Sequence, residues 1–237
     1  LGTADVEIVD SWVLDPVQLG RLYDDVLAPS FPSGELVARS ELVRRLGHKE
    51  DSICCRVAVH PGGQALAAIV ADMFAKSGVL LLSYLAVRPG LRGRGLGTEL
   101  AADAVPRWIS RHEPSIALAE VEDPRYHAVD TDHGDPTARL ELYARLGAHI
   151  LPLPYVQPAL APGSERVRNL LLTVFYTTPE ALTDPTHVAS ALLVRFLTEY
   201  FDLCEGSVPV DEEFTELLAA CQRSEGIPLK SAADYLG

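Results

Sequence analysis

Apolar and polar positions change period several times along the chain, and each change marks an element. Asp5 to Leu14 alternates well enough to predict a first strand, with Val6 and Ile8 turned inward. Asp15 and Pro16 then open a helix with an apolar stripe of Leu19, Leu22, Tyr23, Val26 and Leu27. Asp15 is placed to cap it, with Pro16 at the first helical position. The segment 28–35 carries two prolines and a glycine, and a second helix is expected from Glu35 to Leu46. Ile53–His60 and Gln64–Phe74 read as strands joined by Pro61-Gly62-Gly63, a hairpin signal. Val79–Val87 is a continuous β-branched and apolar run, the pattern of a strand covered on both faces.

Pro89 and Gly90 end that run, a glycine-rich turn follows, and after Gly95 the apolar residues Leu96, Leu100, Ala104, Val105, Trp108 and Ile109 recur at helical spacing. The turn therefore sits at a helix N-terminus, where backbone N–H groups lack partners and a partial positive charge favours anions. Gly93, Gly95 and Gly97 let the backbone approach such an anion, and Arg88, Arg92 and Arg94 add charge in an otherwise acidic chain. Two phosphate loops are excluded. No three glycines fit G-x-G-x-x-G, and Gly90 to Gly95 has the Walker A spacing with Leu96 where lysine is needed.

The residues match R-x-x-G-x-G as Arg92, Gly95 and Gly97, directly after a strand ending L-A-V-R-P. On this motif the chain resembles the GNAT superfamily of acyl-CoA-dependent N-acyltransferases. The resemblance covers about residues 5–178. It implies an α/β (α+β) fold with a mixed, mostly antiparallel sheet flanked by helices. It implies acetyl-CoA, or another acyl-CoA, as co-substrate, held by Leu85, Ala86 and Val87 of the strand and by Arg92, Gly93, Arg94, Gly95, Leu96, Gly97 and Thr98 of the turn. The two-helix region near the N-terminus would form a wall of the acceptor site, so Phe31, Glu35 and Tyr84 become candidate substrate contacts. Phe31 could equally plug the core, and Glu35 could sit at a helix start, where negative charge is favoured.

Ser115 to Val121 reads as a fifth strand running into Glu122. Alternation puts Glu120 and Glu122 on one face. The resemblance makes either one a candidate general base for the acceptor amine, directly or through water; either could instead bind an arginine or cap a turn. Thr137 to Gly147 reads as a short helix, and its Tyr143-x-x-x-Gly147 agrees with the family's last motif. There the tyrosine protonates the departing thiolate, although Tyr143 also continues the apolar stripe of Leu140 and Leu146. The family often has Asn before this helix to hold the pantetheine arm. Here it is Asp135, which puts that contact in question.

Residues 124–136 crowd His127, Asp130, Asp132, His133 and Asp135 into a polar loop, but H-x5-H matches no familiar metal spacing, and no metal is expected. The segment reads as a surface loop or a lid over substrate. His149–Tyr155 and Asn169–Thr177 are predicted to close the sheet. Beyond residue 178 two amphipathic helices follow, 185–204 with Val188, Leu192, Leu193, Phe196, Leu197, Tyr200 and Phe201 on its apolar side, and 211–221. They divide the chain into a catalytic domain, 1–178, and an acidic helical extension, 179–237, whose stripe either packs on its own subunit or makes a homodimer contact.

The net charge of −13 weakens any case for nucleic acid or anionic membrane. Residues 179–237 carry −8 of it, so acidity belongs mostly to the extension and says little about a cationic substrate. No apolar run approaches the ~20 residues of a membrane helix, and Cys54, Cys55, Cys204 and Cys221 show neither metal nor disulfide spacing. A cytoplasmic location is expected. The activity implied is transfer of an acetyl group from CoA to a primary amine, most simply of a small molecule, in one ternary complex. The alternatives are a non-catalytic acyl-CoA sensor with a protein partner, and acetylation of protein lysines or N-termini.

Overall fold

The computed structural model describes residues 6–50, 52–127, 135–161 and 163–236. Eight strands follow one order, β1 (Glu7–Asp10), β2 (Ile53–Val59), β3 (Ala65–Phe74), β4 (Val79–Val87), β5 (Ile116–Glu122), β7 (Leu170–Thr177), β6 (His149–Leu151) and β11 (Lys230–Ser231), flanked by helices, which is the mixed and mostly antiparallel α/β fold expected. The chain forms two compact units, one holding residues 6–73 and 82–113, the other 74–81, 114–127 and 135–236.

In the first unit β1 (Glu7–Asp10) pairs with β2 (Ile53–Val59), and β2 with β3 (Ala65–Phe74), both antiparallel. The first strand is shorter than predicted. Ser11 leaves it to donate to the carbonyl of Leu46 at 2.8 Å, and the chain turns there. Helix α1 (Pro16–Leu22) begins at a capping box, in which the Asp15 carboxylate accepts from Val17 and Gln18 while the Gln18 side chain accepts from the Asp15 amide. It runs on as a π-helical turn to Leu27. Helix α2 (Arg39–Leu46) starts four residues later than expected. Residues 32–35 close a turn, with the Glu35 amide bonded to the Pro32 carbonyl, and extended Ala38 is the cap. Glu35 is therefore in a turn and not at a helix start. Strand β4 (Val79–Val87) leads to α3 (Leu96–His112) as predicted.

In the second unit β5 (Ile116–Glu122) pairs with β7 (Leu170–Thr177), β7 with β6 (His149–Leu151), and β6 with β11 (Lys230–Ser231). β6 stops four residues early because Pro152 and Pro154 cannot donate to a ladder. Helix α4 is Pro136–Arg145, and Asp135 caps it by accepting from the Thr137 amide at 2.9 Å. The helix expected from 185 begins only at Ser190, as α5 (Ser190–Glu205). Val188 belongs instead to a small sheet of β8 (Leu182–Asp184), β9 (His187–Val188) and β10 (Ile227–Pro228). Helices α6 (Glu212–Cys221) and α7 (Ala232–Leu236) complete the unit.

The α5 stripe is covered by its own chain. Phe196, Leu197 and Phe201 share a core with Phe74, Ile116, Leu118 and Leu172. Full burial of a large apolar side chain contributes about 1.5–3 kcal/mol, well above the roughly 0–1 kcal/mol of an exposed ion pair. Apolar packing therefore docks the helix, and charge sets its edges. Arg166, from the β6–β7 connection, bonds Glu205, Asp211 and Glu213, which gives part of the acidic extension a structural partner.

Candidate active site

In the first unit the predicted cofactor residues lie together. Leu85 and Val87 of β4 are half-buried, and Ala86 is buried. The turn after them is built on three left-handed glycines, Gly90 (φ 83), Gly93 (φ 76) and Gly95 (φ 84). A Cβ added at any of the three would meet nothing within 4 Å, so backbone conformation rather than crowding demands glycine there, and the space beside the turn is open. Gly97 differs. It is helical, and its Cβ would lie 3.5 Å from a Val87 methyl.

No side chain caps α3, as none caps α2 or α5, whereas Asp15, Asp135 and Asp211 cap α1, α4 and α6. The amides of Leu96, Gly97 and Thr98 open this helix with the partial positive charge of its N-terminus. The arginines divide the work. Arg88 bonds Asp25 at 3.0 Å and the Ala65 carbonyl at 3.3 Å. Arg92 bonds the Pro29 carbonyl, Ser30 Oγ and the Val87 carbonyl at 3.2–3.4 Å, bracing the turn against the end of the first helical segment. Arg94 is exposed and makes no hydrogen bond or ion pair among the described residues. An open glycine turn, an uncapped helix and a cation in reserve fit a diphosphate.

The candidate substrate contacts form a second group. Phe31 meets Tyr84 edge to face, with ring centroids 5.1 Å apart. The Tyr84 hydroxyl accepts from the Val37 amide and the Tyr23 hydroxyl donates to the Val37 carbonyl, both at 3.1 Å. Two phenols thus fix the peptide of the 28–38 segment, and neither signal stands out in sequence. Glu35 is half-buried in the turn of that segment.

The three predicted catalytic residues all fall in the second unit. Register sets Glu120 opposite Leu172 and Glu122 opposite Leu170, which gives them one face of β5. Their partners nevertheless differ. Glu122 is buried, accepts from Arg139 at 2.7 Å and has His127 Nδ1 at 3.7 Å. Half-buried Glu120 accepts a very short bond from Tyr155, another from Gln157 Nε2 at 2.7 Å, and long ones from Tyr200 at 3.4 Å.

Tyr143, on α4, is 4% exposed. Burial holds its phenol protonated well above the usual tyrosine range, and nearby Arg139 opposes this only in part. Its hydroxyl has no hydrogen-bond partner among the described residues. Arg139 lies one turn before Tyr143 on the same helix face, so a single guanidinium ties Glu122 to the Tyr143 helix.

Sequence reasoning missed Arg139, Tyr155, Gln157 and Tyr200. Tyr200 was hidden inside the apolar stripe of α5, and Tyr155 and Gln157 inside a proline-rich connection. Among the described residues no group of His, Cys, Asp or Glu could hold a metal; Asp130, Asp132 and His133 lie outside them. The four cysteines are free thiols, and among the described residues no helix is long and apolar enough to cross a membrane.

The sequence profile of the acetyltransferase (GNAT) family matches residues 21–131. Among solved structures, a protein assigned to GNAT-family acetyltransferases from Bacteroides thetaiotaomicron is similar, at 17% identity and a TM-score of 0.52, with 73% of this chain and 87% of that chain covered. An acetyltransferase of the GNAT family from Staphylococcus aureus is 10% identical, with a TM-score of 0.50 over 72% of this chain and 99% of its own. At such identities the likeness establishes the fold. No curated protein matches the chain in sequence.

Proposed function

We propose, from the match of the acetyltransferase (GNAT) family profile to residues 21–131, that the protein transfers an acetyl group from acetyl-CoA to the primary amine of a small molecule. The observation that carries the reading is the turn ahead of α3, with left-handed Gly93 and Gly95, a helix start that no side chain caps, and Arg94 in reserve. Main-chain amides and Arg94 hold the diphosphate, and β4 from Leu85 to Val87 lines the pantetheine arm.

The amine nitrogen attacks the thioester carbonyl, forming the C–N bond, and the C–S bond breaks. The N–H of Leu85 stabilises the oxyanion that develops. Glu120 or Glu122 takes the ammonium proton and Tyr143 gives one to the departing sulfur. Burial keeps this phenol in its acid form and also makes it a weaker acid, so its proton passes to the sulfur only as negative charge builds there. Phe31, Tyr84 and Glu35 border the acceptor.

Calorimetry with CoA and thiol release in the presence of an amine panel test this together. CoA should bind, and amines should accelerate release. Gly95→Val forces a β-branched residue into left-handed backbone, a strain of at least about 1–2 kcal/mol, and should weaken CoA roughly tenfold or more while lowering the melting temperature by about 2–8 °C. Absence of heat with CoA, or parental affinity in Gly95→Val, overturns the reading.

A further inference from the structure

The chain turns at Asp123, directly after Glu122, and that turn is fastened from far along the sequence. The Asp123 carboxylate is 4% exposed. Arg125, two residues on, reaches it with its amide at 3.0 Å and with its guanidinium at 2.7–3.2 Å. The other donor among the described residues is the Tyr235 hydroxyl, at 2.7 Å and 112 residues away in sequence. The Arg125 guanidinium also lies over the Tyr235 ring, 4.3 Å from its centroid. A buried carboxylate must be met by donors. Those of Arg125 travel with the turn, so Tyr235 is the donor that fixes where the turn sits.

Tyr235 belongs to α7, which packs along α4, the helix of Arg139 and Tyr143. α7 therefore touches both elements whose spacing sets the 2.7 Å bond from Arg139 to Glu122 Oε2. The turn meets Glu122 in a second way. The His127 amide donates to the Asp123 carbonyl at 3.1 Å, and His127 Nδ1 lies 3.7 Å from Glu122 Oε1. That oxygen makes no hydrogen bond among the described residues, whereas both oxygens of Glu120 accept bonds from Tyr155, Gln157 and Tyr200. Glu122 keeps an oxygen for an incoming proton, and Glu120 is committed to its neighbours.

We propose that Tyr235 is a positioning residue for Glu122: α7 clamps α4 to the end of β5 through the Asp123 turn, and so holds Glu122 in place as the general base. The inference rests on the acetyl-transfer reading and deepens it, since it chooses between the two carboxylates and brings in a helix that lies outside the stretch resembling the family. A base must be held to within a fraction of an ångström of its proton. A clamp on the strand end and on the helix of Arg139 restrains Glu122 from both sides.

The test compares Tyr235→Phe, which removes one hydroxyl and keeps the ring beside Arg125, with Tyr235→Ala, which removes both. Arg168→Ala, which loses only an exposed ion pair to α6, is the control. In amine-dependent thiol release Tyr235→Phe should lower kcat about tenfold to a hundredfold while the KM for acetyl-CoA stays within about twofold. Tyr235→Ala should lower kcat further, and Arg168→Ala should match the parent. In a Glu122→Gln background Tyr235→Phe should change kcat by less than about twofold, because the group it positions is gone. Hydrogen exchange reads the clamp without turnover: in Tyr235→Phe the amides of Val121, Glu122 and Asp123 should exchange at least about tenfold faster, with those of β2 and β3 at the parental rate. Parental kcat in both Tyr235 variants, an undiminished effect in the Glu122→Gln background, or exchange that rises equally in every element overturns the inference. Absence of thiol release from the parent with every amine sinks acetyl transfer; faster exchange confined to residues 121–123 then still supports the clamp, and parental exchange there sinks it as well.

Discussion

The glycine turn ahead of α3 and the carboxylate group on β5 handle charge in opposite ways. The turn is exposed, is made of main chain, and leaves a helix end and Arg94 unassigned. The carboxylate group is largely enclosed and made of side chains, with Glu120 and Glu122 each held by named donors. Backbone recognition tolerates almost any residue that keeps the conformation. Side-chain recognition depends on each partner, so single substitutions should cut deeper on β5 and α4 than at the turn.

The largest effect expected follows from that contrast. Tyr143→Phe removes one hydroxyl that makes no hydrogen bond among the described residues, so the melting temperature and CoA affinity should stay close to parental. Loss of a general acid lowers kcat about 10²–10⁴-fold, and single-turnover kinetics would measure it. Because burial raises this phenol, its acid form persists past the usual tyrosine range. Any basic limb of the kcat profile below about pH 10 must then come from another group. A kcat equal to the parent's would remove Tyr143 from the mechanism.

A smaller effect separates the two arginines of the turn. Arg94→Glu should weaken CoA about tenfold to a hundredfold, less so at high salt. Arg92→Ala loses bonds to protein oxygens instead, so it should lower the melting temperature by about 2–4 °C per kcal/mol and leave the salt dependence of CoA binding as it was. Interchanged phenotypes in calorimetry would reverse the assignment.

The smallest effect is alkaline. Burial pushes the Cys55 and Cys221 thiols up to about 12. Below pH 9 folded and unfolded chains both keep these protons, so the contribution to stability is fully present there. Between pH 9 and about 12 the unfolded chain loses them first, and stability falls as pH rises. The slope is at most about 1.4 kcal/mol per pH unit for each thiol. Cys221→Ala should flatten the decline in melting temperature between pH 9 and 11; an unchanged slope would put the loss elsewhere.

Legibility followed the same division. Val79–Val87, the glycine turn and α3 were readable because a motif held in one short stretch needs only local conformation, and left-handed backbone at Gly93 and Gly95 writes itself as glycine. The α5 stripe was readable for the same reason, since period records burial. β6 and β11 were not equally visible. Prolines cut the first short, and the second is two residues long and exists only through its pairing with β6.

By itself the sequence determined the order of the main elements, the glycine turn ahead of α3 and the placing of Tyr143, Glu120 and Glu122 on a helix and a strand. Local propensity and period suffice for each of these. Only the tertiary structure decided which arginine braces and which stays available, that Glu122 answers to Arg139, and that Glu120 gathers Tyr155, Gln157 and Tyr200 from a span of 80 residues. Such partners are brought together by packing of the hydrophobic core. No period along the chain encodes a contact between side chains so far apart in sequence.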